Sequence, residues 1–216
     1  MSVVADGGSQ RSRSGIVRAL LDAHGRSYAE EAGITLRDKP APLYQLMVMT
    51  LLSSARIGAD IAMASARELF HAGWRTPEHM CEATWQQRVD ALGRGGYRRY
   101  DESTATKLEE NAAWLLEEHH GDLRELRPED GDVDVLAHEL TEAPRIGPVG
   151  AGIFIREVQG VWPELQPFFD DRALEEAERL GLPTDPAKLA ELSPQGKVPL
   201  LASALVRSGT RAARQG

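Results

Sequence analysis

Cysteine is almost missing from this chain: Cys81 is the only one in 216 residues. A lone thiol closes no internal disulfide, and by itself it holds neither a zinc ion nor an iron–sulfur cluster. Aromatic residues are sparse, at 6%. No apolar run approaches the roughly 20 residues that a bilayer-spanning helix needs. The opening MSVVADGGSQRSRS is polar and lacks the apolar segment of a secretory signal. The expectation is a cytoplasmic protein with no membrane partner. Strand-like alternation is absent, and no fixed-period repeat occurs. Excess positive charge is missing too: 25 Lys and Arg stand against 33 Asp and Glu, for a formal net charge of -8. That weakens the case for a strongly basic nucleic-acid binder, whose phosphate contacts come mostly from Lys and Arg. It does not remove it, because local patches matter more than the sum.

What is present is helical periodicity, interrupted by glycine and proline. Helices are expected within 15–33, 43–55, 60–73 and 101–121, then within 132–143, 151–162, 172–180 and 197–209, with a short one near 186–192. The LYQLMVMTLLSSA stretch is apolar on all sides, as a central buried helix is. Thr76 and Thr84 sit at N-cap positions, the first followed by Pro77 at the first helical position. Residues 1–14 are Ser-, Gly- and Arg-rich, which predicts a disordered N-terminus. The pattern is all-α, with nine or ten helices.

The segment APRIGPVGAGIF, residues 143–154, raises a sharper question. Gly147 and Gly150 flank Pro148 just where a buried helix begins. Backbone N–H groups at such a helix start make an anion site that needs no side-chain charge. A tight αα-corner with packing glycines explains the same residues. Asp170 and Asp171 precede the 172–180 helix, where either serves as an N-cap. GRGGYRRYDES, residues 93–103, carries Tyr97, Arg98 and Arg99 in one loop, the kind of basic and aromatic patch that stacks on unpaired bases. A flexible loop covering the core edge is the plainer account. His119 and His120 are adjacent and do not face each other on a helix, so they make no metal pair. No metal site is expected. Trp74, Trp85, Trp114 and Trp162 read as core residues.

Residues 137–159 resemble the helix-hairpin-helix motif of the endonuclease III class of DNA glycosylases, where the pattern L-P-G-V-G-x-x-T-A corresponds to EAPRIGPVGA here. Three further stretches agree in order: LYQLMVMTLLSSARIGAD, LEENAAWLLEEHHGDL and FFDDRALEEAERLGL, the last resembling V-D-T-H-x-x-R-V-x-x-R-L-G-L. The resemblance implies a two-lobed all-α fold, with a helical barrel lobe at 43–160 and a second lobe from 15–42 plus 161–216. A flipped nucleotide enters the cleft between them. It implies that Asp170, or Asp171 as the alternative, is the catalytic aspartate. Arg56 takes the place of the wedge that fills the opened stack. Arg145, Gly147 and Gly150 contact DNA phosphate. Hairpin carbonyls in this class also hold a monovalent cation.

The chain departs from the class in telling places. Val149 stands where bifunctional members carry a nucleophilic lysine, and valine cannot form a Schiff base. The four-cysteine cluster loop is absent, so no iron–sulfur cofactor is expected. The resemblance, with these departures, implies a monofunctional glycosylase that binds double-stranded DNA through its phosphates and hydrolyses the N-glycosidic bond of a modified or mismatched base; a monomer is the expectation. A non-catalytic DNA-binding relative and a protein-interaction helical domain remain as alternatives.

Overall fold

The computed structural model describes residues 6–213 apart from Arg56, with the side chains of 6–11 and 212–213 also outside the description. Arg56, the expected wedge, therefore lies outside the described residues. All regular structure among them is helical: twelve α-helices and two short 3-10 turns. No described helix is long and apolar enough to cross a membrane.

The helix count exceeds expectation partly because 15–33 is not one helix. It splits into α1 (Asp6–His24) and α2 (Tyr28–Glu31). A Cβ on Gly25 would lie 2.2 Å from the Leu21 carbonyl oxygen, so the chain leaves α1 at a residue without one. α1 starts at Asp6, within the 1–14 stretch expected to be disordered. The backbone of 6–14 is helical, whereas 1–5 and the side chains of 6–11 fall outside the description.

Two compact units make up the chain. Tyr28–Leu165 is one; the stretches up to Ser27 and from Gln166 onward form the other. The segments 28–42 and 161–165, expected with the termini, group with the middle of the chain instead. Hydrogen bonds explain the grouping. The Ala29 N–H donates to the buried Glu157 carboxylate at 3.0 Å, and the Trp162 indole donates to Asp38 at 2.9 Å.

At the centre of the middle unit is α3 (Pro40–Ser53), whose apolar sequence is matched by burial from Leu43 to Leu52 on nearly every side. Packed against it are α4 (Ala59–His71) and α9 (Pro148–Val158). Around these lie α5 (Pro77–Glu82), α6 (Trp85–Arg94), α7 (Asp101–His119) and α8 (Val133–Glu142). The expected caps are present: the Thr76 hydroxyl accepts from His79 N–H, and Thr84 with Gln87 completes a capping box. Left-handed His120 and Gly121 end α7. Arg88 is buried: its two terminal guanidinium nitrogens donate to the Met80 and Ala83 carbonyls and to Glu109, while its Nε is left without a partner. Of the four tryptophans read as core, Trp162 is fully buried, whereas Trp85 is 41% exposed.

In the other unit, α12 (Val198–Ala213) packs against α1 and α10 (Asp171–Arg179), and α11 (Pro186–Glu191) lies between them in sequence. Glu176 joins α10 to α12: its carboxylate accepts from Ser208 Oγ at 2.7 Å and from the Arg179 guanidinium.

Candidate nucleic-acid interface

The hairpin joins α8 to α9 through a turn whose backbone is unusual at one place. Arg145 adopts φ 69°, the left-handed region, which costs a side chain with a Cβ roughly 1 kcal/mol or more. The class pattern has glycine after its proline, and this chain has arginine there. Two contacts hold the conformation. The buried Asn111 amide donates to the Pro144 carbonyl at 3.2 Å, and the Arg145 guanidinium donates to Glu110 at 3.0 Å. Both partners come from α7. The Glu110 carboxylate keeps the Arg145 proton bound more firmly, so its pKa is raised by that hydrogen bond first. Arg145 is thus exposed but already partnered.

The two hairpin glycines serve different ends. At Gly150 an added Cβ would lie 3.0 Å from Ser54 Oγ and 3.1 Å from Ile146 Cγ2, so this glycine lets α9 close against the end of α3. Gly147 has φ -103°, open to any residue, and an added Cβ would meet nothing within 4 Å. It therefore needs neither a left-handed backbone nor a close protein neighbour, contrary to the turn-geometry account. Gly147 is the N-cap of α9, and no side chain caps that helix. Pro148 has no N–H to offer, which leaves the first-turn donors that follow it without a capping acceptor. Val149, beside them, is 54% exposed.

The 93–103 loop reaches the same region but not in the expected way. Tyr97 is 1% exposed, and its hydroxyl donates to the Leu52 carbonyl at 3.4 Å. Burial raises the pKa of that hydroxyl. Tyr97 is a core residue that fastens the loop to α3, which corrects its assignment as a DNA contact. Gly95 packs so closely that an added Cβ would lie 2.4 Å from the Ser65 Cα. The loop's glycines thus serve packing as well as turning. Arg98 and Arg99 do remain exposed, with Arg99 lying 5.3 Å from the centre of the Tyr100 ring. The end of α3 therefore gathers the hairpin, through Thr50 and Ser54, and the arginine loop, through Leu52.

Asn111 escaped sequence reading, although a signal existed. It sits at helical spacing with Leu108, Ala112 and Leu115 on the buried face of α7, where an amide needs a partner. In the other unit, Asp170 is the N-cap of α10, and its carboxylate accepts from Ala173 N–H at 3.0 Å. Asp171 is the first residue of the helix and is exposed. The capping account of Asp170 is thus realised in the geometry. Cys81 is half-buried, and its thiol pKa is pushed up by burial, which makes it a poor nucleophile. Among the described residues, no group of three or more His, Cys, Asp or Glu gathers as a metal site.

No protein-family model and no curated protein matches the chain. Solved structures do. A non-covalent endonuclease III–DNA complex aligns with a TM-score of 0.57 at 16% identity, covering 91% of this chain and 84% of that one. A trapped endonuclease III–DNA covalent intermediate, an estranged-adenine complex, aligns with a TM-score of 0.55 at the same identity and coverage. The chain has the all-α fold of endonuclease III. At this identity the likeness concerns the fold.

Proposed function

We propose that this chain is a DNA glycosylase that hydrolyses the N-glycosidic bond of an altered base in duplex DNA. One observation carries the reading: an uncapped α9 N-terminus at Gly147, open on its outer side, within a fold shared with endonuclease III. Such an end binds phosphate through backbone N–H groups and reads no sequence. Exposed Arg98 and Arg99 add positive charge near the end of α3. The class resemblance assigns the chemistry to Asp170. A carboxylate there would stabilise the oxocarbenium-like sugar and orient the attacking water. Val149 leaves the hairpin without an amine nucleophile, so cleavage stops at the abasic site. Base excision repair is the setting in which such an activity belongs.

A second reading has observations of its own. Val149 stands in the lysine's place, and Arg145 is already paired with Glu110. Both suit a relative that binds DNA without cutting the glycosidic bond.

The test is a single-turnover assay on duplexes carrying a panel of oxidised, alkylated, deaminated and mismatched bases, with and without alkali. The expected result is alkali-dependent strand breaks that vanish in Asp170→Asn. Breaks without alkali would contradict the hydrolytic reading. Salt-sensitive binding with no abasic sites on any substrate would establish the non-catalytic binder instead.

A further inference from the structure

A second charged feature lies in the middle unit, at the opposite end of α3 from the hairpin. A cavity of about 440 Å³ opens between the segment preceding α3, the first turns of α3 and the end of α4. Arg37, Lys39, Arg67 and Arg75 line it, and no aspartate or glutamate does. For a chain with net charge -8, this is a local reversal of sign.

These cations are not spent on ion pairs. Arg67 donates to the Glu31 backbone carbonyl, and Arg75 donates through Nε to the Phe70 carbonyl at 2.9 Å. Carbonyl partners orient a guanidinium without cancelling its charge. Arg37 and Lys39 are exposed and have no carboxylate partner among the described residues. The nearest acid along the chain, Asp38, is drawn away to Arg127 at 2.8 Å and to the Trp162 indole at 2.9 Å. Glu68 of α4 is held by Arg94 at 2.9 Å. The C-terminal dipole of α4 offers some compensation, but it amounts to about half a charge against four.

We infer that this cavity binds a small phosphorylated ligand carrying at least two adjacent phosphoryl groups, with its organic part against Pro42 and Phe70. Four cations lining one cavity match the charge of a diphosphate, and arginine forks match its oxygens bidentately. The volume falls within the range of small-ligand sites, about 300–1,000 Å³. A concave site of this size favours a small molecule over a duplex. The distance supports separation from the hairpin: from Pro42 to Ser54, α3 advances roughly 18 Å at ~1.5 Å per residue. The inference is independent of the glycosylase reading.

Isothermal titration calorimetry on the full chain tests it with three probes: ADP, inorganic pyrophosphate and adenosine. ADP and pyrophosphate bind saturably, and adenosine does not. The double variant Arg37→Gln/Lys39→Gln removes two side chains that make no hydrogen bond in the fold, so its thermal melt is unchanged. Its ADP affinity drops about tenfold or more. Absence of saturable binding by either phosphorylated probe overturns the inference, as does undiminished ADP binding in the double variant. Duplex DNA forms the second arm, followed by fluorescence anisotropy. The double variant binds duplex as the parent does, and pyrophosphate does not compete. Weaker duplex binding together with competition by pyrophosphate would show that the cavity holds a DNA phosphate, and would overturn the small-ligand assignment.

Discussion

Asp170 is asked to do two things, and substitutions separate them. Asparagine caps a helix about as well as aspartate, whereas alanine forfeits the bond to Ala173 N–H. Asp170→Ala should lower stability by about 1 kcal/mol in thermal melts, and Asp170→Asn by a few tenths at most. If Asp170 carries the chemistry, both variants lose base excision although only one loses the cap. Arg145 offers a comparable separation. Its left-handed φ favours glycine, and its ion pair with Glu110 is exposed and contributes little. Arg145→Gly and Arg145→Ala both remove the pair, but only glycine relieves the backbone. The glycine variant should be more stable than the alanine variant by about 1 kcal/mol, read from melting midpoints. Equal midpoints would mean that the turn relaxes on its own once the arginine is gone.

At the scale of elements, the two hairpin glycines predict opposite phenotypes. Gly150→Ala brings a methyl against Ser54 Oγ, which is held by its bond to the Thr50 carbonyl, and against buried Ile146, so that these neighbours must give by a few tenths of an ångström, and it should cost about 1 kcal/mol. Gly147→Ala meets no protein atom and should cost less than about 1 kcal/mol. Its methyl sits beside the open donors of α9, so duplex affinity should fall several-fold with the melt almost unchanged. The α10–α12 contact carries a pH dependence. The Glu176 carboxyl is held below its ordinary value of 4.5 by the Arg179 hydrogen bond first, with Ser208 adding to it against the opposing effect of burial. A depressed pKa means that the folded state binds the proton less readily than the unfolded chain. The stabilisation is therefore complete above about pH 4.5 and is lost as the pH falls through the lower folded value. Melting temperatures of the parent should drop more steeply below pH 5 than those of Glu176→Gln, whose stability is already reduced at neutral pH.

For the whole molecule, the deciding property is the contrast between net charge and local charge. A chain at -8 repels a duplex at long range, so binding must come from a few cations and backbone donors close to the phosphates. The logarithm of duplex affinity should fall linearly with the logarithm of salt, with a modest slope of about -0.9 per neutralised phosphate. Removing both Arg98 and Arg99 charges as glutamine should flatten that slope by about 1–2 units. An affinity independent of salt would favour the protein-interaction reading over any DNA-binding one.

The amino-acid sequence by itself determined that the chain is helical and where most of its helices lie, though not the break at Gly25 or the early start of α1. Periodicity, the Thr76 and Thr84 caps and the all-round apolar face of α3 are local properties, set by neighbours within a few residues. The order of the motifs was enough to anticipate the endonuclease III fold. What only the tertiary structure decided are the roles of residues whose partners lie far along the chain. Tyr97 looked like a stacking residue beside two arginines, and its burial against Leu52 made it core. Gly147 and Gly150 looked alike, and only the approach of α3 distinguished them. Arg145 became an ion-paired residue because α7 brings Glu110 to it, and Arg37, Lys39, Arg67 and Arg75 became one cavity because α3 and α4 pack side by side. Charge and conformation at such places depend on distance through space, which sequence spacing does not measure.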